Sequence, residues 1–528
     1  MSSSAASSSA ASSSTGPARS GPASPAGEQR DSRRWWALAA VSLAAFMTYL
    51  DNNIINVAIP TIQHSLHLSV SGLEWVVSSY LLTLAGLLLA GGRLADVYGR
   101  RRLFLVGMAL FTLSSLAAGL TGSGDVLIAA RAVQGVGAAM LMPTTLAIIM
   151  ATFTNVRERS MAIGIWAAAG AMALALGPVL GGLISQHLHW GWIFLINVPV
   201  GVIAFALAVF YVAESRESSA VRRLDVPGLV TSALALFALT YALIEGEVRG
   251  WTSPVILAAF AVAAASAAAF GIIESRSADP MVPLSMFRRR EFSGGTGTQM
   301  IWSFGILGIY FFTSLYLQEI LGFSPTRAGL AFVPMALCVA VFAMLASRVE
   351  ARIGANRSVA AGLLLMVIGL VLFARLGRSV SYTELLPGFM LFGAGVGLMN
   401  VPLTNASMRA IPAARTGIAS ALLNASREVA GLLGITIVGA VLRTRQSASL
   451  RAGASPAQAF VDGYHTGLWL TIALLAAGVL VSYVTLRPRP VAGAGADQAT
   501  GELRELEAVF APEVLFAPDS ETTRQDAP

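Results

Sequence analysis

Two charged side chains stand where charge is expensive. Asp51 lies in Leu50-Asp51-Asn52-Asn53-Ile54-Ile55-Asn56-Val57-Ala58-Ile59-Pro60, and Arg131 opens Arg131-Ala132-Val133-Gln134-Gly135-Val136-Gly137-Ala138-Ala139, both inside long apolar runs. If those runs cross a bilayer as helices, an ionisable residue within them costs about 2.5–3.5 kcal/mol on insertion scales and marks a functional position by default. An arginine does not give up its proton, so Asp51 is the candidate proton carrier and Arg131 needs an acidic or polar partner. Gln134 sits one turn from Arg131 on the same face, and Thr48, Asn52 and Asn56 share another face at spacing four. A nearby guanidinium favours the charged carboxyl and loss of water the neutral one, so access to water would set the charge on Asp51. Two plainer readings stand beside this one: Asp51 bonding to backbone near a wet helix end, and Arg131 clamping carbonyls.

Other motifs lie at the edges of the runs. Gly92-Arg93-Leu94-Ala95-Asp96-Val97-Tyr98-Gly99-Arg100-Arg101-Arg102 joins two of them. Its glycines permit a tight turn, and Asp96 can pair with Arg or a helix N-terminus, giving a charged latch that forms in one conformation only. The alternative is an Arg cluster that only fixes orientation. Ala173, Gly177 and Gly181 form a small-residue stripe at spacing four, next to Gly182 and the helix-bending Pro178, which implies close helix contact, structural or gating. Farther on, Asn400, Asn405, Asn424, Arg427 and Glu428 are polar positions in or beside apolar runs. Arg427 and Glu428 are adjacent, point about 100° apart, and are not expected to pair with each other. Asn52, Asn56, Gln134, Trp166, Asn400, Asn424 and Glu428 are candidates for a substrate cavity, and Trp302, Phe304 and Tyr310 could line one or simply pack. The histidines His64, His67, His187, His189 and His465 fall in predicted outer loops, and His187 with His189 is too sparse a pair for a metal site.

What positions these residues is a membrane. The 528-residue chain is 12% charged, half the roughly 25% of a soluble domain. Fourteen apolar runs are long enough to span: 36–60, 73–92, 103–121, 126–150, 161–184, 192–213, 226–244 and 254–273, then 294–317, 327–347, 359–374, 385–406, 417–442 and 466–486. The expected class is an all-α polytopic membrane protein. Arginines in alternate loops outnumber the rest about threefold, which puts both termini on the cytoplasmic side, with Arg443, Arg445 and Arg451 as the exceptions in an outer loop at 443–465. The layout is a disordered tail (1–34) that is not a cleavable signal, a six-helix bundle (35–213), two extra helices with long joins (214–293), a second six-helix bundle (294–486) and a cytoplasmic tail (487–528) with a short amphipathic stretch at 502–510. Substrate sites in repeat-built transporters lie between the halves.

Every basic residue is Arg; there is no Lys. That excludes a GxxxxGK[ST] phosphate loop and a lysine Schiff base. A single Cys338 excludes an intramolecular disulfide and a CxxC site, and reads as a small buried residue. No nucleophile–base constellation marks an enzyme. The net charge of +7 is spread between apolar runs, so it reads as topology and not as a nucleic-acid surface.

These blocks, in this order, resemble the major facilitator superfamily and specifically its fourteen-span drug:proton antiporters. WGWIFLINVP (190–199), YLQEILGFSPTRAGLAFVP (316–334) and GIASALLNASREVAGLLG (417–434) extend the likeness from about Trp35 to Leu486. The resemblance implies the major facilitator fold, two six-helix bundles plus two extra helices, and efflux of a lipophilic drug or antibiotic across a bacterial plasma membrane, with the proton gradient in place of a cofactor. It implies proton coupling at Asp51 and Arg131, conformational switching at Gly92, Asp96, Gly99 and Arg100, and the antiporter signature at Gly177, Pro178, Gly181 and Gly182. A metabolite symporter, or a sensor without transport, are the alternatives. Asn53, Ala173 and Gly191 depart from the residues usual in that family. A second-half copy of the loop motif near Arg348–Gly354 has Ala351 in the acid's place with Glu350 beside it, so the first-half latch is expected to be the stronger.

Overall fold

An apolar run needs about 20 residues to cross a hydrocarbon layer as a helix, and the runs form helices of that length. The computed structural model describes residues 25–216, 225–277, 280–377, 380–409, 411–412 and 416–487. Among them are fourteen helices long and apolar enough to span a membrane. The first eight are α1 (Arg33–Leu66), α2 (Val70–Tyr98), α3 (Arg100–Leu120), α4 (Gly124–Thr152), α5 (Arg157–His187), α6 (Trp192–Tyr211), α7 (Val226–Arg249) and α8 (Pro254–Arg276). The rest are α9 (Arg290–Ile320), α10 (Pro325–Ile353), α11 (Ala355–Phe373), α12 (Tyr382–Arg409), α13 (Ile418–Arg451) and α14 (Pro456–Thr485). No strand occurs among the described residues.

Helix packing repeats between the halves. In the first, α1 packs on α5, α2 on α4, and α3 on α4 and α6; in the second, α9 packs on α13, α10 on α12, and α11 on α12 and α14. Glycines allow these backbones to touch, since association in lipid rests on close packing and not on expelling water. The extra helices α7 and α8 pack on each other, and α7 also lies on both α2 and α13.

Three boundaries differ from the sequence reading. The helical path of the first span starts at Pro25, inside the segment expected to be a tail, because no proline follows before Trp35 and Pro is at home in a first turn. The expected outer loop at 443–465 shrinks to a short turn, since α13 runs to Arg451 and α14 starts at Pro456; Arg443 is buried against a partner and so does not end a span. Histidines expected in loops are partly helical: His64 lies in the last turn of the first helix, His187 ends α5, and His465 lies within α14, its ring on the Leu376 carbonyl at 2.7 Å. Cys338, expected buried, is only partly so. The 502–510 stretch lies outside the described residues.

The seam between halves is unequal at its two ends. At the end opposite the Arg100–Arg102 cluster, the Gln318 amide donates to the Val57 carbonyl at 2.9 Å, the Thr326 amide to Gln186 at 3.1 Å and the Thr326 hydroxyl to the Gly182 carbonyl at 3.3 Å. His64 meets Glu319 there at 3.2 Å. Gln318 and Glu319 sit in a single π-helical turn, Tyr316–Ile320, a distortion frequent at functional sites. Toward the arginine-rich end, Thr404 and Asn424 are exposed on otherwise apolar helices. Their side chains bond back to the Asn400 and Ser420 carbonyls at 3.0 and 3.1 Å, and polar groups on a spanning helix suit an aqueous face better than lipid.

Candidate functional site

Asp51 sits about 27 Å along α1 from Arg33 and about 22 Å from Leu66, at 1.5 Å per residue. Its carboxyl and the Arg131 guanidinium are both fully buried. Arg131 Nη1 donates to Asp51 Oδ2 at 2.5 Å and to Gln134 Oε1 at 2.7 Å. Gln134 Nε2 donates to Asp51 Oδ1 at 2.7 Å and to the Ser115 hydroxyl at 2.9 Å. Asn197 Nδ2 completes the shell on Oδ1 at 3.0 Å. Donors from α4 and α6 thus converge on the α1 carboxylate, and α3 joins the network through Gln134. The guanidinium lies over the Tyr80 ring at 4.3 Å and faces Phe194 at 5.6 Å, where ring quadrupoles stabilise it without a counter-charge. Its Nε also reaches the Val76 carbonyl at 3.2 Å, so the carbonyl-clamp reading is true in part. The wet-helix-end reading of Asp51 is not.

The sequence reading brought Asp51, Arg131 and Gln134 together and missed Ser115, Tyr80 and Asn197. Asn197 lies in the WGWIFLINVP block, and an amide in an apolar run was the available signal. Asn52 and Asn56 do not join this shell: the Asn56 amide bonds back to the Asn52 carbonyl at 3.1 Å.

The α2–α3 turn is a latch of different construction from the one anticipated. Arg100 pairs with Asp96 at 3.1 Å, four residues back. A second acid, Glu214, accepts from the backbone N–H groups of Arg101 at 3.2 Å and Arg102 at 3.3 Å, tying the start of α3 to the chain beyond α6. Gly99 is required there: its φ is +110°, and a Cβ would lie 2.5 Å from the Glu214 carboxylate. Gly92 is not, because a Cβ there has room, 3.7 Å from Pro143; the tight contact belongs to Gly91, against the Ala139 carbonyl. In the second half Glu350 fills the acid role. It receives Arg409 at 2.5 Å and Asn405 at 3.1 Å from α12, reaching across helices where Asp96 pairs within its own turn. A long side chain one position from the expected one thus takes the acid's place, with a partner on α12.

The Gly-Pro block works on two faces. A Cβ on Gly177 would lie 2.6 Å from that of Asn53, and one on Gly181 would strike the Ile54 carbonyl, so this face packs on α1. A Cβ on Gly182 would strike the Pro325 carbonyl, and one on Gly329 the Pro178 carbonyl, so the other face meets α10 of the opposite half. Gly191, the departure noted above, abuts the Gly119 carbonyl with no space for a Cβ.

In the second half, Arg427 and Glu428 do pair, against expectation. Arg427 Nε and Nη2 reach Glu428 Oε1 at 3.1 and 2.8 Å, because a long guanidinium curls back over the angle between adjacent Cα–Cβ directions. The Tyr49 hydroxyl of α1 is a further partner of Arg427, and Glu428 lies within electrostatic reach of Tyr80, so this pair faces the Asp51 network across the seam. Asn424 is exposed and Asn400 half-buried. Trp166 and Trp302 each hold a buried indole N–H without a partner, whereas Phe304 and Tyr310 are packed in the core.

The sequence matches the profile of the Major Facilitator Superfamily over residues 41–435 and 300–517. It is 39% identical over 415 residues to multidrug resistance protein Stp of Mycobacterium tuberculosis, covering 78% of this chain and 76% of that one. It is 35% identical to puromycin resistance protein pur8 of Streptomyces alboniger over 87% of this chain and 91% of that one. The fold is similar to that of an auto-inhibited POT family peptide transporter, with a TM-score of 0.64 at 14% identity, over 87% of this chain and 98% of that one.

Proposed function

The chain belongs to the Major Facilitator Superfamily, and from that premise we propose that it exports lipophilic drugs or antibiotics across the plasma membrane in exchange for protons. Both termini lie in the cytoplasm on this reading, so the arginine-rich end is inner and the closed end outer. The observation that carries the coupling is the buried carboxylate of Asp51, held by Arg131 and Gln134 of α4 and Asn197 of α6. It is the ionisable member of the network, because the guanidinium keeps its proton. With the proton bound, Arg131 loses its counter-charge, and the helices bearing these donors repack; the proton and the drug then favour different access states, which is the requirement for exchange. Relatives named for multidrug and puromycin resistance support a drug as the substrate.

The inward-open cleft admits the drug between halves, near the Arg427–Glu428 pair, Asn400, Asn424 and the unpartnered indole N–H of Trp166. Few polar groups amid apolar walls suit substrates recognised by size and lipophilicity. The Asp96 and Glu350 clusters, each formed within one half and engaged here, brace the inner ends of their own bundles, and opening of the outer end requires α5 and α10 to part at Gly182 and Gly329.

Inverted vesicles acidified inside test this reading with a lipophilic dye such as ethidium. Dye accumulation that collapses when the pH difference is dissipated is the expected result. Accumulation only with the gradient reversed would identify a symporter, and no gradient-driven movement of any lipophilic compound would leave a sensor.

A further inference from the structure

A second buried ion pair lies far from Asp51 and bridges the halves. Glu74 of α2 is fully buried and contacts Arg443 of α13, itself 8% exposed. The carboxylate lies against the α13 backbone at Gly439, where a Cβ would strike Glu74 Oε1. Glu74 Oε2 and Arg443 Nε have no partner. Arg443 Nη2 donates to the Leu243 carbonyl at 3.0 Å and the Ile244 carbonyl at 3.3 Å, both on α7. The next residue on each helix is tied to α7 as well: Trp75 Nε1 donates to Glu245 at 3.1 Å and the Thr444 hydroxyl to Glu247 at 3.2 Å. One inserted helix therefore grips both sides of the α2–α13 seam at a single level.

That level is near the closed end. Glu74 is about 6 Å along α2 from its first residue, at 1.5 Å per residue, so a proton from the outer solvent has a short path to it. Rocking the outer ends apart must separate Glu74 from Arg443, and breaking a buried pair strands both charges. Protonating Glu74 removes one of them. The other is not stranded, because Arg443 keeps the two α7 carbonyls. Other charged groups at this level are already engaged or lie in the open: Glu245 also pairs with Arg249 at 3.1 Å, Glu247 also accepts from Trp251 at 3.2 Å, Asp125 of α4 borders the groove beside Trp75, and His67 at the α1–α2 turn is exposed.

We propose that Glu74 is a second proton-binding residue, whose pair with Arg443, backed by the inserted helix α7, locks the outer end until a proton from outside releases it. The proposal rests on the export reading for its sidedness and its proton, and it gives the extra helices a gating role.

The test is a distance measurement across the outer end. Spin labels go on Gly122→Cys, in the α3–α4 turn, and Arg375→Cys, after α11, in full-length chain carrying Cys338→Ser in lipid nanodiscs. The parent is expected to show a short distance at pH 7.5 and a longer one growing in at pH 5.5. Glu74→Gln, which mimics the protonated side chain, is expected to populate the longer distance at least fivefold above the parent at pH 7.5. Distributions for Glu74→Gln that superimpose on the parent's at both pH values overturn the lock. Should that variant fail to fold, the exchange Glu74→Arg with Arg443→Glu carries the test: a short distance at pH 7.5 that lengthens at pH 5.5 supports the lock, and no response to acid overturns it. Ethidium export by the same parent chain separates the two readings, since absent export with Glu74-dependent distances sinks export alone, and export with indifferent distances sinks the lock alone.

Discussion

Replacing Asp51 by Asn keeps the shape of the side chain and removes what the network is built around. The three side chains bonded to Asp51 all donate to it, Arg131 to one oxygen and Gln134 with Asn197 to the other. An amide offers one oxygen. Turned toward Arg131, its own NH2 meets the amides of Gln134 and Asn197; turned the other way, it confronts the guanidinium. Breaking one side of a fully buried pair costs about 3–5 kcal/mol, and because the Asn oxygen still accepts a bond from Arg131 the lower end applies. The transport consequence is larger. For one proton per drug, a difference of two pH units is worth a drug gradient of about 100-fold, since each tenfold ratio is about 1.4 kcal/mol. Asp51→Asn should reduce that ratio to near one, while exchange of labelled for unlabelled drug down its own gradient continues in the same proteoliposomes. Accumulation above about tenfold by the variant, at the same pH difference, would refute the assignment of the coupled proton to Asp51.

The glycines of α5 separate folding from gating. Gly181→Ala drives a Cβ into the Ile54 carbonyl within one half, and should lower the thermal midpoint of the detergent-solubilised protein; Gly182→Ala, directed at Pro325 of the other half, should leave that midpoint and instead raise the labelling of outer-seam cysteines. Gly99→Ala, at φ +110° and against Glu214, should cost about 1–3 kcal/mol in chemical unfolding and reduce transport, whereas Gly92→Ala should be silent in both. Glu350→Gln keeps an acceptor for Asn405 and loses the charge opposite an Arg409 that is 57% exposed, so its stability cost should be about 1 kcal/mol, yet the variant should slow drug exchange because the brace between α10 and α12 at the inner end is weakened.

Much of this protein is legible without a structure because the bilayer makes position expensive. A run of apolar residues about 20 long has few options other than a spanning helix, so the span count followed from hydropathy. An acid and an arginine inside such runs have to find one another, so Asp51, Arg131 and Gln134 could be grouped from spacing and cost alone. The same logic found the small-residue faces of α5, because close backbone approach needs missing side chains wherever the partner lies.

What the tertiary structure decided is who the partners are. Asn197 and Ser115 look like ordinary polar residues until α6 brings the first to Asp51 and α3 brings the second to Gln134. Glu74 near one helix start and Arg443 near another helix end each read as a residue at the water's edge; only the packing of α2, α7 and α13 removes both from solvent and joins them. Arg427 and Glu428 defied a rule about directions because long side chains bend. The shift from Gly92 to Gly91, and from Ala351 to Glu350, came from contacts a single residue away from the motif positions. Local cost is written along the chain, one residue at a time; pairing across 369 residues, as between Glu74 and Arg443, depends on how helices with interchangeable apolar faces settle against one another, and no spacing encodes that.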